Sequence, residues 1–167
     1  MNYADIKKTD VANGPGIRVS LFVSGCTRGC KGCFNRAAWD FQYGKKWDKA
    51  AERELFAALA PDYIKGLSVL GGEPFEPANV ETVAEIIKKV RDQYPQKDIW
   101  CYTGGIYETE LLVRAKTEPA VAAILERIDV LVDGPFIEEQ KNLRLAFRGS
   151  ENQRILNLRE MREIRNG

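Results

Sequence analysis

Histidine is absent from this chain. Without an imidazole, no side chain of ordinary pKa titrates near neutrality, so histidine-based acid–base and nucleophilic schemes are excluded. Cysteine is limited to four residues, and three of them crowd into the eight positions from Cys26 to Cys33. That is not the spread of a secreted disulfide framework. No run approaches the ~18 consecutive apolar residues of a membrane span. The start, Met1-Asn2-Tyr3-Ala4-Asp5, lacks the basic and apolar regions of a secretory leader. A net charge of +1, from 25 basic and 24 acidic residues, leaves no electrostatic footprint for nucleic acid. Together these absences predict a protein of the reducing cytoplasm, with neither membrane nor nucleic-acid partners. A cofactor is expected to carry the difficult chemistry.

What is present suits one soluble domain: 44% hydrophobic and 29% charged residues in a chain of 167. Segments of strand character alternate with segments of helical period. Ile17 to Ser24, Leu67 to Leu70, Ile99 to Tyr102 and Ile128 to Val132 read as strands. Ala51, Leu55, Ala58 and Leu59, capped by Asp48, mark a helix, as do Val80, Val83, Ala84, Ile87 and Val90. Further helical stretches are expected around Tyr107 to Arg114 and Ala120 to Arg127. The alternation predicts an α/β fold built of βα units around a mostly parallel, curved sheet. A complete eight-fold barrel needs about 250 residues, so an incomplete βα barrel is expected. It would occupy residues 1–156, followed by a charged carboxy-terminal tail over 157–167. The cysteine loop, Gly71-Gly72, Gly104-Gly105 and Asp133-Gly134 all follow predicted strands, where functional loops of such sheets gather.

The run Cys26-Thr27-Arg28-Gly29-Cys30-Lys31-Gly32-Cys33 carries the chemistry. Three thiolates this close can face one small volume, as ligation of an iron–sulfur cluster requires. Three ligands to a cluster that can take four leave one iron open. A four-ligand zinc site is the alternative, and only Cys101 could complete it. Cys101 sits in the apolar run Ile99-Trp100-Cys101-Tyr102, where a core thiol is the default. Gly71-Gly72-Glu73-Pro74 permits close backbone approach after its strand, though glycine and proline also punctuate plain turns.

Together, the C-x3-C-x2-C spacing and the later Gly-Gly-Glu-Pro stretch resemble the radical S-adenosylmethionine (SAM) enzymes. Asn13-Gly14-Pro15-Gly16-Ile17-Arg18 and Phe34-Asn35 narrow the resemblance to the glycyl-radical-enzyme activases. Asp98-Ile99-Trp100, Val132 to Phe136 and Arg148 to Gln153 resemble the smallest of these, the activating proteins of anaerobic ribonucleoside-triphosphate reductase. The similarity runs from Asn2 to Ile155. It implies a [4Fe-4S] cluster on Cys26, Cys30 and Cys33, with SAM chelated at the open iron. It implies that Gly71, Gly72, Glu73 and Pro74 cradle the methionyl amine, and that Gly32, Cys33 and Phe34 border the adenine. Gly32 departs from the aromatic often found before the last cysteine, and Phe34 would fill that place. Asp133 would contact the ribose or position the substrate, with a turn-forming role as the equal alternative. Arg18 and Arg28 would favour an anionic carboxylate or an electron donor, with solvated surface charge as the alternative. Arg148 and Asn152 would hold the site together or touch a partner. The implied reaction is reductive cleavage of SAM, fed by a flavodoxin- or ferredoxin-type donor, to set a glycyl radical on anaerobic ribonucleotide reductase. Activation of a different glycyl-radical enzyme, a small radical SAM enzyme acting on a metabolite, and a non-catalytic four-cysteine zinc module remain as rival expectations.

Overall fold

The computed structural model describes every residue from Met1 to Gly167. Its strands are β1 (Asn2–Asp10), β2 (Arg18–Val23), β3 (Lys45–Lys46), β4 (Gly66–Gly71), β5 (Asp98–Tyr102), β6 (Val130–Asp133) and β7 (Arg154–Asn157). They form one sheet in the order β3-β1-β2-β4-β5-β6-β7. The inner strands β2, β4, β5 and β6 run parallel, and β1, β3 and β7 add antiparallel edges. Helices α1 (Lys49–Leu59), α2 (Val80–Gln93), α3 (Leu112–Ala115) and α4 (Pro119–Arg127) lie in the connections between parallel strands, and α5 (Leu158–Asn166) follows β7.

The period of two along each strand sorts its residues between the faces. Val19, Leu21, Val23, Leu67, Val69, Ile99, Cys101 and Leu131 join Leu55, Leu59, Val83, Ile87, Ile124 and Leu158 in one core. The sheet positions between them, including Ser20, Ser68, Leu70, Trp100 and Tyr102, belong to the other face. Trp100, Val130 and Val132 form a small second cluster there, with Tyr102 and Phe147 against it. Successive parallel strands advance across the sheet without reversal, and connections of one hand keep the helices on one side. The second face is left to loops.

Local signals behave as their chemistry requires. Asp48 accepts a 2.8 Å hydrogen bond from Ala51 N and starts α1. Asn157 does the same for α5 from Glu160 N. Leu158 is buried in the core, and Arg162 donates to the carbonyls of Leu125 and Ile128, so the charged carboxy-terminal helix is docked. Three strands lay outside the sequence expectation: β1, β3 and β7.

Arg18 is fully buried, in contrast to the solvated surface charge that the sequence allowed. Its guanidinium donates to Ser68 Oγ at 2.9 Å, to the carbonyls of Pro15 and Leu67 at 3.0 Å, and to Asp98 Oδ1 at 2.5 Å. Ser68 Oγ in turn donates to the Asn13 carbonyl. The Asn13–Pro15 segment is thereby pinned over the helix-free face.

Candidate functional site

β2 ends at Val23, and the chain leaves the sheet as the cysteine loop. The loop is fastened at its root. Ser24 Oγ donates to the Tyr43 carbonyl at 2.8 Å, Gly25 N to Ala38 O at 2.7 Å, and Cys26 N to Trp39 O at 3.2 Å. Cys26, Cys30 and Cys33 are half-buried and free, and all three line one cavity of about 400 Å³ on the loop-covered side. They share that volume without being drawn into a ready-made metal cage. Burial pushes the Cys26 thiol above its ordinary pKa. A metal bound there would displace the thiol proton as the thiolate formed.

The turn after β4 is keyed to this loop through its backbone. Gly72 N donates to Val23 O at 2.8 Å and Glu73 N to Gly25 O at 2.9 Å. Asn79 Nδ2 reaches the carbonyls of Ser24 and Glu73, while Glu76 accepts from both the amide and the hydroxyl of Thr27. Two motifs far apart in sequence therefore form one mechanical unit. Gly72 is indispensable to it, because a Cβ there would lie 2.5 Å from Gly25 O and 2.9 Å from Ala38 O. Neither atom is the far end of a flexible side chain. Gly72→Ala is expected to lower the stability of the metal-free chain by about 1–3 kcal/mol, as overpacking does, and to displace the cysteine loop. A thermal melt checks this, and an unchanged midpoint would show that the two loops can part freely.

Of the other residues singled out by sequence, Phe34, Gly71, Gly72 and Glu73 line the cavity. Gly32 lies beside it, exposed, and turns through φ +75°. Pro74 is buried behind the turn and is not part of the lining. Phe34 packs on Phe136 with ring centroids 5.0 Å apart. Asp133 stands elsewhere. Period two puts it on the side of Leu131, the helix-covered face, where it is fully buried. Arg154 binds both of its oxygens, and Tyr107 N donates to Oδ2. Its neighbour Gly134 is the residue that lines the cavity. Cys101 lies in the helix-side core, away from the loop-covered face, and burial drives its thiol pKa well upward. Trp47 packs edge-on against Tyr3 at 5.5 Å, a structural contact.

Sequence reasoning missed Tyr102, Phe136, Leu143 and Phe147 as lining residues. Tyr102 was within reach, because alternation along β5 sets it opposite Cys101. Phe147 was not, since its left-handed φ of 65° and its edge contact with Trp100 at 5.4 Å depend on tertiary packing. Arg148 also lines the cavity and donates to the Gln153 carbonyl at 2.6 Å. Tyr102 Oη and Arg148 Nε are buried without a hydrogen-bond partner, an arrangement that native structures rarely leave uncompensated. Three soft thiol donors on one loop, a close-fitting glycine turn and unmatched polar atoms beside one cavity fit an iron–sulfur cluster with a polar organic cofactor.

The family described as a 4Fe-4S single cluster domain matches residues 12–156. The chain is 44% identical over 157 residues to an anaerobic ribonucleoside-triphosphate reductase-activating protein of Haemophilus influenzae, covering 93% of this chain and 97% of that one. It is 38% identical over 161 residues to the protein of the same name from Escherichia coli K12, covering 95% and 100% of the two chains. A phage T4 protein of that name shares 38% over 157 residues, 93% of each chain.

Proposed function

Because this chain belongs to the anaerobic ribonucleoside-triphosphate reductase-activating protein family, we propose that it is the radical SAM activase of such a reductase, with its site in the cavity beside the cysteine loop. The observation that carries this reading is the convergence of all three clustered cysteines and the Gly71–Glu73 turn on one cavity. Cys26, Cys30 and Cys33 would hold the [4Fe-4S] cluster. The Gly71–Gly72 backbone would face the methionyl end of SAM, and Phe34 would border the adenine. When bound, the cluster and SAM supply a one-electron cleavage and the removal of a hydrogen atom from a glycine of the reductase.

The chain's own residues do the placing. The root bonds of the cysteine loop and the backbone bonds of Gly72 and Glu73 set the two cofactor-binding segments at a fixed separation. Proximity of reacting atoms is where such a scaffold contributes most. Phe34, Phe136, Leu143 and Phe147 give the cavity an apolar wall. Abstraction of a hydrogen atom calls for no general base, which suits a chain without histidine. On this reading the sheet is an incomplete βα barrel whose strand ends present the site. The electron comes from a flavodoxin- or ferredoxin-type protein, and the protein works in the cytoplasm. No helix is long and apolar enough to cross a membrane.

Mixing the reduced, cluster-loaded protein with SAM and an anaerobic ribonucleotide reductase should give a glycyl-radical signal by electron paramagnetic resonance, with 5′-deoxyadenosine formed alongside. Replacing the radical glycine of the reductase by alanine should remove the signal. A competent preparation that activates no such reductase, yet converts a small metabolite, would overturn the substrate assignment.

A further inference from the structure

Resting on that reading of the cavity, we infer that Glu73 and Arg28 form a positioning clamp. In it the Glu73 carboxylate does not touch the cofactor but holds the cysteine loop in register with the cofactor-binding turn.

The carboxylate of Glu73 is almost completely buried, at 2% exposure. Its Oε1 accepts from Arg28 Nε at 2.7 Å, Thr103 Oγ1 at 2.9 Å and Gly104 N at 2.8 Å, and its Oε2 from Phe75 N at 3.1 Å. An ionised carboxylate offers about four lone-pair sites. Three of the four donors crowd Oε1 and Phe75 N alone reaches Oε2, so Oε1 is saturated, and the burial of the side chain shields the remaining Oε2 position from an incoming ammonium group. The backbone of the turn, rather than this side chain, is left to meet a ligand.

The donors come from three strand ends: Arg28 after β2, Phe75 after β4, and Thr103 with Gly104 after β5. Arg28 stands between Cys26 and Cys30 and lines the same cavity. Its Nη2 also donates to Glu110 Oε1 at 2.7 Å, so the guanidinium bridges two carboxylates. Gly104-Gly105 is the slot that admits it. A Cβ on Gly104 would press on the Arg28 side chain, 2.8 Å from Nε, and one on Gly105 would lie 3.0 Å from Nη2. A surface arginine would need no such slot. Charge-assisted bonds of this kind are short and directional, and here they fix the height of the cysteine loop above the sheet.

A double-mutant cycle tests the clamp. Glu73→Gln, Arg28→Met and the pair are reconstituted anaerobically, and each is measured for iron per chain and for equilibrium SAM affinity. The expected result is retained iron, a loss of SAM affinity of roughly tenfold or more in each single variant, and a double variant no weaker than either. Arg28→Lys should recover part of the loss. If Glu73 instead bonds the cofactor directly, Glu73→Gln weakens SAM binding, Arg28→Met leaves it intact, and the clamp is overturned. Unchanged affinity in both singles, or strictly additive losses, overturns it equally. Should Glu73→Gln fail to fold, Thr103→Val takes its place, because it removes one donor from Glu73. Coupling to Arg28→Lys then supports the clamp, and additivity refutes it. Failure to radicalise a reductase by wild-type protein that binds SAM would refute the functional reading and leave this cycle interpretable.

Discussion

Cys30→Ala, reconstituted anaerobically with iron and sulfide, is expected to emerge without a four-iron centre and to form no glycyl radical, while Cys101→Ala emerges brown and active. The asymmetry follows from position. Cys30 shares its loop and its cavity with two other half-buried thiols, and a cluster deprived of one of three thiolate ligands has no substitute nearby: the chain has no histidine. Cys101 is fully buried in the helix-side core with Val69, Ile99 and Leu131. Its sulfur's one polar contact is a weak 3.9 Å bond to the Tyr102 carbonyl. Bringing it to the cavity would require the core of β5 to open. Iron and sulfide analysis with the visible spectrum decides the matter. If Cys101→Ala also loses its metal, and the wild type prefers zinc, the cluster assignment falls.

Arg18→Met is expected to cost about 3 kcal/mol of folding stability, towards the lower end of what breaking a buried pair removes. The lower end applies because Asp98 keeps some contact with water, at 21% side-chain exposure, and keeps Lys65 at 3.5 Å. Four hydrogen bonds go at once, from an arginine whose guanidinium also lies 5.6 Å from the Trp100 ring centroid. For a domain of this size the midpoint should drop by roughly 6–12 °C. The Asn13–Pro15 segment should loosen first, and hydrogen exchange there would report it before global unfolding does. A stability loss below 1 kcal/mol would mean that the latch is incidental to the fold.

The parallel strands were legible because each is a short apolar run closed by glycine or by Asp-Gly, and the helices because their caps and periods agree. β1 escaped notice for a physical reason. Its pairing with β2 shifts register between Tyr3 and Asp5 and again between Lys7 and Asp10. The buried residues Tyr3, Ile6 and Asp10 consequently follow no period of two. β7 has four residues and an exposed side, too little pattern to separate from a loop. The cysteines and the glycine turn announced themselves through local spacing. The charged residues did not, because their roles depend on partners remote in sequence. Arg18 meets Asp98 across 80 positions, and Arg154 meets Asp133 across 21. Asp133 offers the sharper lesson. Counting by twos from Leu131 would have turned it away from the cavity, whereas the family resemblance and its place at a strand end suggested a ligand contact.

The contacts that hold the cysteine loop also impose an order on biosynthesis. Translation proceeds from the amino end, and the three thiols leave the ribosome well before the residues that position them. Glu73 follows Arg28 by 45 positions and Glu110 by 82. At about 5–20 residues per second, the nascent chain carries its thiols uncaged for several seconds, exposed to oxidants and to stray metal ions. Metal delivery that preceded closure would meet a loop with no defined shape. Until those partners emerge, oxygen would meet bare thiols on a loop whose position nothing yet fixes.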